Sequence, residues 1–305
     1  MKVAYLILAH DQPALFGRLV SALQYPGASV YALIDGKKEK QAFVQAAGAQ
    51  VVHFLEQRIA VNWAGYSQVA AMLKLLEAAA ASGPHDYYIF LSGRDYPIQS
   101  NPALFDHLQR HAGTSFINSY SLNDGTDFVH LIKRYAFRDF YSRVPGKLLQ
   151  YVARRAVDAV NFALPPRKFI GGMQPYRGST SWCLSGEAAR YILDFVSHPG
   201  NAGFTRFFRR TSGADEIFFQ TILFNSPLAA RCAGYREPAA AASGPAPSNE
   251  NKVSLHYIDW NPARENPAIL EQKDLADMLR SNKFFARKMD GERSAVLLQS
   301  IDNMR

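Results

Sequence analysis

The sequence predicts an α/β fold built on a Rossmann-like, mainly parallel sheet flanked by helices. Three observations carry this expectation. Over the first hundred residues, apolar runs alternate with helical patterns, as in chains that build parallel sheets. The runs are apolar throughout, as strands covered on both faces are. Three of them end in polar residues, Ala9-His10-Asp11, Asp35-Gly36-Lys37 and Ser92-Gly93-Arg94-Asp95. A parallel arrangement gathers such ends at one rim, where open sheets bind their ligands.

Val3–Ala9 reads as the first strand. Asp11 is placed to cap a helix whose first turn holds Pro13, with Leu15, Leu19 and Leu23 at helical spacing. Val30–Ile34 and Val51–Leu55 follow as strands. Ser67–Ala81 is a helix with Val69, Met72, Leu73 and Leu76 on one stripe. Tyr87–Leu91 is the fourth strand; beyond it Gly93 permits close backbone approach and Pro97 fixes the exit. A ligand-facing Asp95 and an ordinary tight turn with a capping Asp both account for that stretch. In the second half, Gly171-Gly172 and Gly178-Ser179-Thr180 bracket a loop before a short strand at Ser181–Leu184. Helices are expected near Gly186–Val196 and Asp215–Phe224. Pro238–Asn249, rich in Ala, Pro, Ser and Gly, reads as a mobile surface loop. A strand at Val253–Trp260 and helices near Gln272–Ser281 and Gly291–Ile301 complete the chain.

The 305 residues are 48% hydrophobic, enough for a large core. No apolar run approaches the roughly 18 residues of a membrane-spanning helix, and the first ten residues read as a strand rather than a signal peptide. Two cysteines, Cys183 and Cys232, make no disulfide framework, and a reducing cytosol fits. The formal net charge is +8, and between Phe128 and Ile170 nine basic residues face only Asp139 and Asp158, a local charge of +7. A block of this kind suits phosphate, nucleic acid or an anionic membrane surface, and equally a solvated basic face.

Candidate chemistry is sparse. No Asp-x-Asp, P-loop or G-x-G-x-x-G occurs, and His107 and His111 have helical metal spacing without a third ligand. Asp215-Glu216 follows a Gly-containing turn and opens an apolar helix. A general base and a well-charged helix start both explain the pair. Arg287-Lys288, set in Phe284–Asp290, offers two cations to phosphate oxygens or two snorkelling surface chains.

Together these motifs resemble glycosyltransferase family 14, the core 2/I-branching β-1,6-N-acetylglucosaminyltransferase group that also holds protein xylosyltransferases. The likeness runs through AYLILAHDQP (4–13), VYALIDGK (30–37), VNWAGYSQVAAMLKLL (61–76) and YYIFLSGRDYPIQS (87–100). It continues in KRY (133–135), GSTSWCLS (178–185), SGADEIFFQTIL (212–223) and FFARKMD (284–290). The resemblance implies a GT-A-type fold in a single domain, 1–305, with a nucleotide-binding half at 1–118 and an acceptor-binding and catalytic half at 119–305. It implies an inverting transfer from a UDP-sugar, UDP-GlcNAc first and UDP-xylose as the alternative, to a glycan hydroxyl, with no required metal ion or other cofactor.

By the same resemblance Glu216 matches the catalytic base and Lys288 the lysine that neutralises the leaving diphosphate, with Arg264 as its partner cation. Asp35 is expected at the uridine or ribose, His10 with Trp63 or Tyr66 flanking the nucleotide, and Asp95 beside the donor sugar. Lys133, Arg134, Tyr135, Asp215 and Trp260 are the expected acceptor contacts. Lacking the vertebrate members' disulfides and N-terminal anchor, the chain looks like a bacterial cytoplasmic relative building surface polysaccharide. The basic block would then hold it against the inner face of an anionic membrane. The competing reading is a non-catalytic glycan- or nucleic-acid-binding module on the same fold, since basic and aromatic residues interleave at 134–143 and 203–210. The retained Glu216, Lys288 and Asp95 favour the enzyme, with no nucleic acid as partner.

Overall fold

A computed structural model describes residues 1–122, 127–235 and 253–305. The predicted loop at Pro238–Asn249 lies outside the described residues. The first half alternates as expected: β1 (Val3–Ala9), α1 (Pro13–Ala22), β2 (Ala28–Ile34), α2 (Lys40–Ala47), β3 (His53–Phe54), α3 (Tyr66–Ala81) and β4 (Tyr87–Ser92). Then come β5 (Asp95–Pro97), α4 (Asn101–Arg110), β6 (Phe116–Ile117), β7 (Tyr120–Ser121), α5 (His130–Lys133), α6 (Arg138–Tyr141) and α7 (Lys147–Ala163). The rest is β8 (Tyr176–Arg177), β9 (Trp182–Ser185), α8 (Gly186–Ser197), α9 (Ala202–Phe208), α10 (Phe218–Phe224), β10 (His256–Ile258), α11 (Leu275–Arg280), β11 (Phe285–Arg287) and α12 (Ala295–Met304).

The central sheet runs β3-β2-β1-β4-β9-β6. Its first four strands are parallel, whereas β9 is antiparallel to β4 and to β6. This is a mixed, mainly parallel sheet. Because β9 runs backwards, with Ile89 opposite Cys183, its N-terminal end meets the carboxyl end of β4. The segment Gly178–Ser181 therefore joins the rim made by His10, Asp35 and Gly93. A second sheet, β10-β11-β5, closes that rim from the other side.

Both sheet faces are covered. Val3, Tyr5, Ile7 and Ala9 of β1 pack with α1, α4 and α12, and Ala4, Leu6 and Leu8 pack with α3, α8 and α10. Every residue of β1 is buried, which is why its run shows no polar alternation. The C-terminal helix returns to the first half: Asp302 accepts from Arg18 Nη2 at 2.7 Å and from the Tyr96 hydroxyl at 2.7 Å.

Several element boundaries differ from expectation. Asp11 does not cap α1; Gln12 takes the cap position in the left-handed region at φ 51°, with no side-chain cap. Asp11 is drawn instead toward Arg94 Nε, 3.7 Å away. Val51–Leu55 shortens to β3 because only His53 and Phe54 pair with β2, at the sheet edge. Val253–Trp260 shortens to β10, whose partner β11 is equally short. The helix expected from Asp215 divides into a 3₁₀ turn at Ala214–Glu216 and α10. The final helix begins at Ala295, after a turn in which Asp290 accepts from the amides of Glu292 and Arg293.

Candidate active site

Glu216 is held by its neighbours in the chain. Phe204 and Phe208 of α9 and Phe218 and Phe219 of α10 form edge-to-face contacts with centroids 5.1–5.4 Å apart, each pair worth about 0.5–1.5 kcal/mol beyond area burial. They anchor α10 and so fix the turn before it. On the other side, Gly178 N–H donates to the Glu216 carbonyl at 2.8 Å. A Cβ on Gly178 would lie 1.7 Å from the Asn118 carbonyl oxygen, so only glycine fits there.

The two acidic neighbours separate by exposure. The Glu216 side chain is 29% exposed, whereas Asp215 is 5% exposed and accepts from Thr180 Oγ1 at 2.9 Å. Burial, and then the charge of Glu216, raise the Asp215 carboxyl toward neutrality. Asp215, expected as an acceptor contact, thus faces the protein and is the less open of the two carboxylates. Glu216 Oε2 accepts from Arg177 Nη2 at 2.5 Å. Arg177 also binds the Tyr120 hydroxyl and stacks on Phe128 at 3.7 Å. Burial opposes its charge, but Glu216 and Tyr120 outweigh burial and lift its pKa. Arg177 is missed by sequence reasoning; its sole signal is its place as the one cation inside the glycine-bracketed loop.

The second cluster lies where β1, β4 and β11 end. Asp95 is 1% exposed. Its Oδ2 accepts from Ser92 N–H at 2.8 Å, and its Oδ1 from Ser92 Oγ at 2.7 Å and Arg287 Nη1 at 3.0 Å. His256 Nε2 stands 3.5 Å from Oδ2. Burial alone would raise this carboxyl, but Arg287, followed by His256 and Ser92, holds it at about 2. In this structure Asp95, expected beside the donor sugar, is a buried anchor for Arg287. Ser92–Asp95 is built as a tight turn, with Gly93 packed against the end of the first strand. Gly93 is required there, since a Cβ would meet that of Ala9 at 2.8 Å.

Lys288 sits at the centre of this cluster. Met289 N–H binds the Arg94 carbonyl at 2.8 Å, and the Lys288 carbonyl accepts from Leu270 N–H at 2.9 Å. Burial, then the neighbouring charges of Arg94 and Arg287, lower the pKa of its ammonium. Among the described residues this ammonium makes no hydrogen bond or ion pair. Arg94 is tied to Asp290 at 2.7 Å. Arg264, expected as the second phosphate cation, is clamped elsewhere. It donates to Asp259 at 2.7 Å, to both Asp274 oxygens at 2.8 and 3.0 Å, and to the Ile269 carbonyl at 2.7 Å. With its donors committed, it braces the loop behind Lys288, and Arg94 and Arg287 are the cations beside it.

The other expected residues divide between the two clusters. Asp35 is buried at the end of β2 and accepts from the amides of Lys37 at 2.9 Å and Val61 at 3.2 Å. It thereby ties the second strand end to the 61–63 strip. His10 is exposed at the rim. Trp63 is 80% exposed under the Arg138 guanidinium. Tyr66 is turned away from the rim, edge-on to Phe218 and near Arg209, so of the pair Trp63/Tyr66 only Trp63 is open to a ligand. Asp139 of α6 accepts from Ser67 N–H at 2.9 Å and Asn62 Nδ2 at 3.0 Å, capping α3 from a distant part of the chain. Gly213 N–H binds the Ala64 carbonyl, and Arg138 Nε binds Ser212 Oγ, which joins the Trp63 strip to the Glu216 turn.

Lys133, Arg134 and Tyr135 form a mounting strip at the end of α5. Asn161 brackets the Tyr135 backbone, and Arg167 binds the Lys133 and Arg134 carbonyl region. The exposed Trp260 stands apart from that strip: the register pairing Ile258 with Arg287 puts it at the Lys288 end of the second sheet.

A mainly parallel sheet whose strand ends carry polar and charged residues is of the kind that binds ligands beyond the carboxyl ends of its strands. The chain belongs to the Core-2/I-Branching enzyme family, whose model matches residues 3–279. Curated relatives include mouse Xylosyltransferase 2, 22% identical over 99% of this chain and 33% of its own length. Drosophila melanogaster Xylosyltransferase oxt is 24% identical over 92% of this chain and 31% of its own. The chain thus spans about a third of the length of these relatives. Among solved structures, the galactosyltransferase LgtC bound to donor and acceptor sugar analogs aligns over all of this chain and 96% of that chain, with 10% identity and a TM-score of 0.41.

Proposed function

We propose that the chain transfers a sugar from a UDP-sugar to a glycan hydroxyl with inversion, and that its own cations, rather than a divalent ion, neutralise the leaving diphosphate. The observation that carries this reading is Lys288: a half-buried ammonium without a described partner, set beside Arg94 and Arg287, is a site waiting for an anion. Glu216 takes the proton of the acceptor hydroxyl as the oxygen bonds to the anomeric carbon. The bond from that carbon to the diphosphate oxygen breaks, and its electron pair leaves with UDP.

The donor we assign first is UDP-GlcNAc, after the branching activity for which the family is named. A second reading, UDP-xylose, is favoured by the xylosyltransferase names of the curated relatives. Calorimetry with UDP in excess EDTA tests the site. Binding that needs added manganese, or is seen with a short oligonucleotide and not with UDP, would overturn it. A donor-hydrolysis comparison of UDP-GlcNAc with UDP-xylose separates the two sugars.

A further inference from the structure

Helix α7 is turned inside out. Gln150, Ala153, Val157 and Asn161, spaced three and four apart, form its half-buried face. The attachments on that side are polar. Asn161 Oδ1 accepts from Tyr135 N–H at 2.6 Å, its Nδ2 donates to the Tyr135 carbonyl at 2.7 Å, and Gln150 Nε2 donates to the Val144 carbonyl at 2.9 Å. Apart from Ala153 and Val157, the large apolar residues point outward instead. Leu148 is 75% exposed, Tyr151 60%, Val152 54% and Phe162 94%. No residue of the 17-residue helix is buried, and among the described residues nothing covers its outer face. A surface helix of a water-soluble domain ordinarily faces the other way.

We propose that α7 is a membrane-surface helix that lays the enzyme on an anionic bilayer. Charge decides the occupant. Lys147, Arg154 and Arg155 stand on the helix, exposed Arg143 and Lys168 flank it, and only Asp158 opposes them, 3.8 Å from Arg155. A second copy packed on this face would bring two such cationic arrays together. A bilayer with acidic headgroups accepts both the apolar side chains and the cations, Lys147 and Arg154 at the edge of the face and the long Arg155 within it. The helix, about 25 Å long at roughly 1.5 Å per residue, would lie in the interfacial plane. Through Tyr135 and α6, whose Arg138 reaches Ser212, it is fixed to the elements that carry Glu216. Bilayer binding is independent of the transfer chemistry, so this proposal stands or fails apart from the assignment of the donor.

The test uses the full chain with vesicles of 30% phosphatidylglycerol in phosphatidylcholine, and with phosphatidylcholine alone. Co-flotation is expected with the anionic vesicles only, diminishing with salt, and a Phe162→Trp variant should blue-shift its emission on those vesicles. Leu148→Ser/Val152→Ser/Phe162→Ser should abolish flotation while leaving UDP binding and circular dichroism unchanged. Lys147→Gln/Arg154→Gln/Arg155→Gln should weaken it by on the order of 100-fold. Equal flotation with neutral and anionic vesicles, or none with either, overturns the proposal. So does a dimeric mass in light scattering that the triple-serine variant converts to a monomer, because the face would then belong to a second copy.

Discussion

Arg177 and Glu216 are joined by a charge-assisted bond, Nη2 to Oε2 at 2.5 Å, with the guanidinium pressed against Phe128. A carboxylate held by a guanidinium that is itself packed on a ring has a fixed direction, and fixed direction is what a general base needs. Arg177 acts through Glu216 and so is a positioning residue. Arg177→Met should lower transfer by about 10- to 100-fold, leaving UDP affinity unchanged. Arg177→Lys, which keeps the charge but loses the planar fork, should recover part of the loss. Steady-state kinetics beside UDP calorimetry checks this; a fall in UDP affinity that matches the fall in rate would place Arg177 at the donor instead.

The two candidate phosphate cations make opposite predictions. Lys288→Ala should weaken UDP binding by about 1.5–3 kcal/mol, the range for a hydrogen bond to a charged group, with little change in stability, since its ammonium has no described protein partner. Arg264→Ala should spare UDP affinity and destabilise the fold by roughly 1–3 kcal/mol, because it strands Asp259, Asp274 and the Ile269 carbonyl. Calorimetry and urea denaturation on both variants decide between them. If Arg264→Ala loses UDP while keeping its urea midpoint, the original expectation for Arg264 returns.

Asp95 makes a prediction in pH. Its folded pKa of about 2 lies below the model-peptide value of about 3.9, so the unfolded chain binds more protons between those values. Its contribution is therefore fully present above about pH 4 and lost as pH falls toward 2. The size is on the order of 2 kcal/mol, in keeping with complete burial beside Arg287. Urea midpoints for the parent and Asp95→Asn should differ most at pH 6 and draw together as pH falls from about 4 to 2 and below. A difference that does not change with pH would mean that the carboxylate charge is not what holds Arg287.

The sequence showed what local pattern can show. The parallel strands of the first half were legible because each is an unbroken apolar run. What it hid was reach. Asp139 caps α3 from 72 residues away, and Arg177 meets Glu216 across 39; neither pairing leaves a mark on neighbouring residues. Asp95 looked ligand-facing because a polar cluster at a strand end reads the same whether it turns outward or, as here, inward onto Arg287. Arg264 resembled a free cation because Asp274, its bidentate partner, falls in a stretch that reads as an ordinary surface helix start.

Exposure assigns the adjacent carboxylates, and their variants should separate cleanly. Glu216→Gln keeps shape and the bond from Arg177 but cannot take a proton. It should cut transfer by at least about 100-fold with UDP affinity nearly intact. Asp215→Asn should leave most of the transfer activity and act on stability. The folded pKa of Asp215 is raised by burial and by Glu216, so the folded state holds a proton that the unfolded state releases above about pH 4. Its neutral form stabilises fully below that point, and the benefit is lost as pH rises toward neutrality. Removing the ionisable group should accordingly make the urea midpoint flatter between about pH 4 and 7, with the variant gaining on the parent at the upper end. Transfer abolished in Asp215→Asn and kept in Glu216→Gln would show that the roles are reversed. Activity kept in both would put the base at another residue, and the Arg177–Glu216 pair would then serve the fold alone.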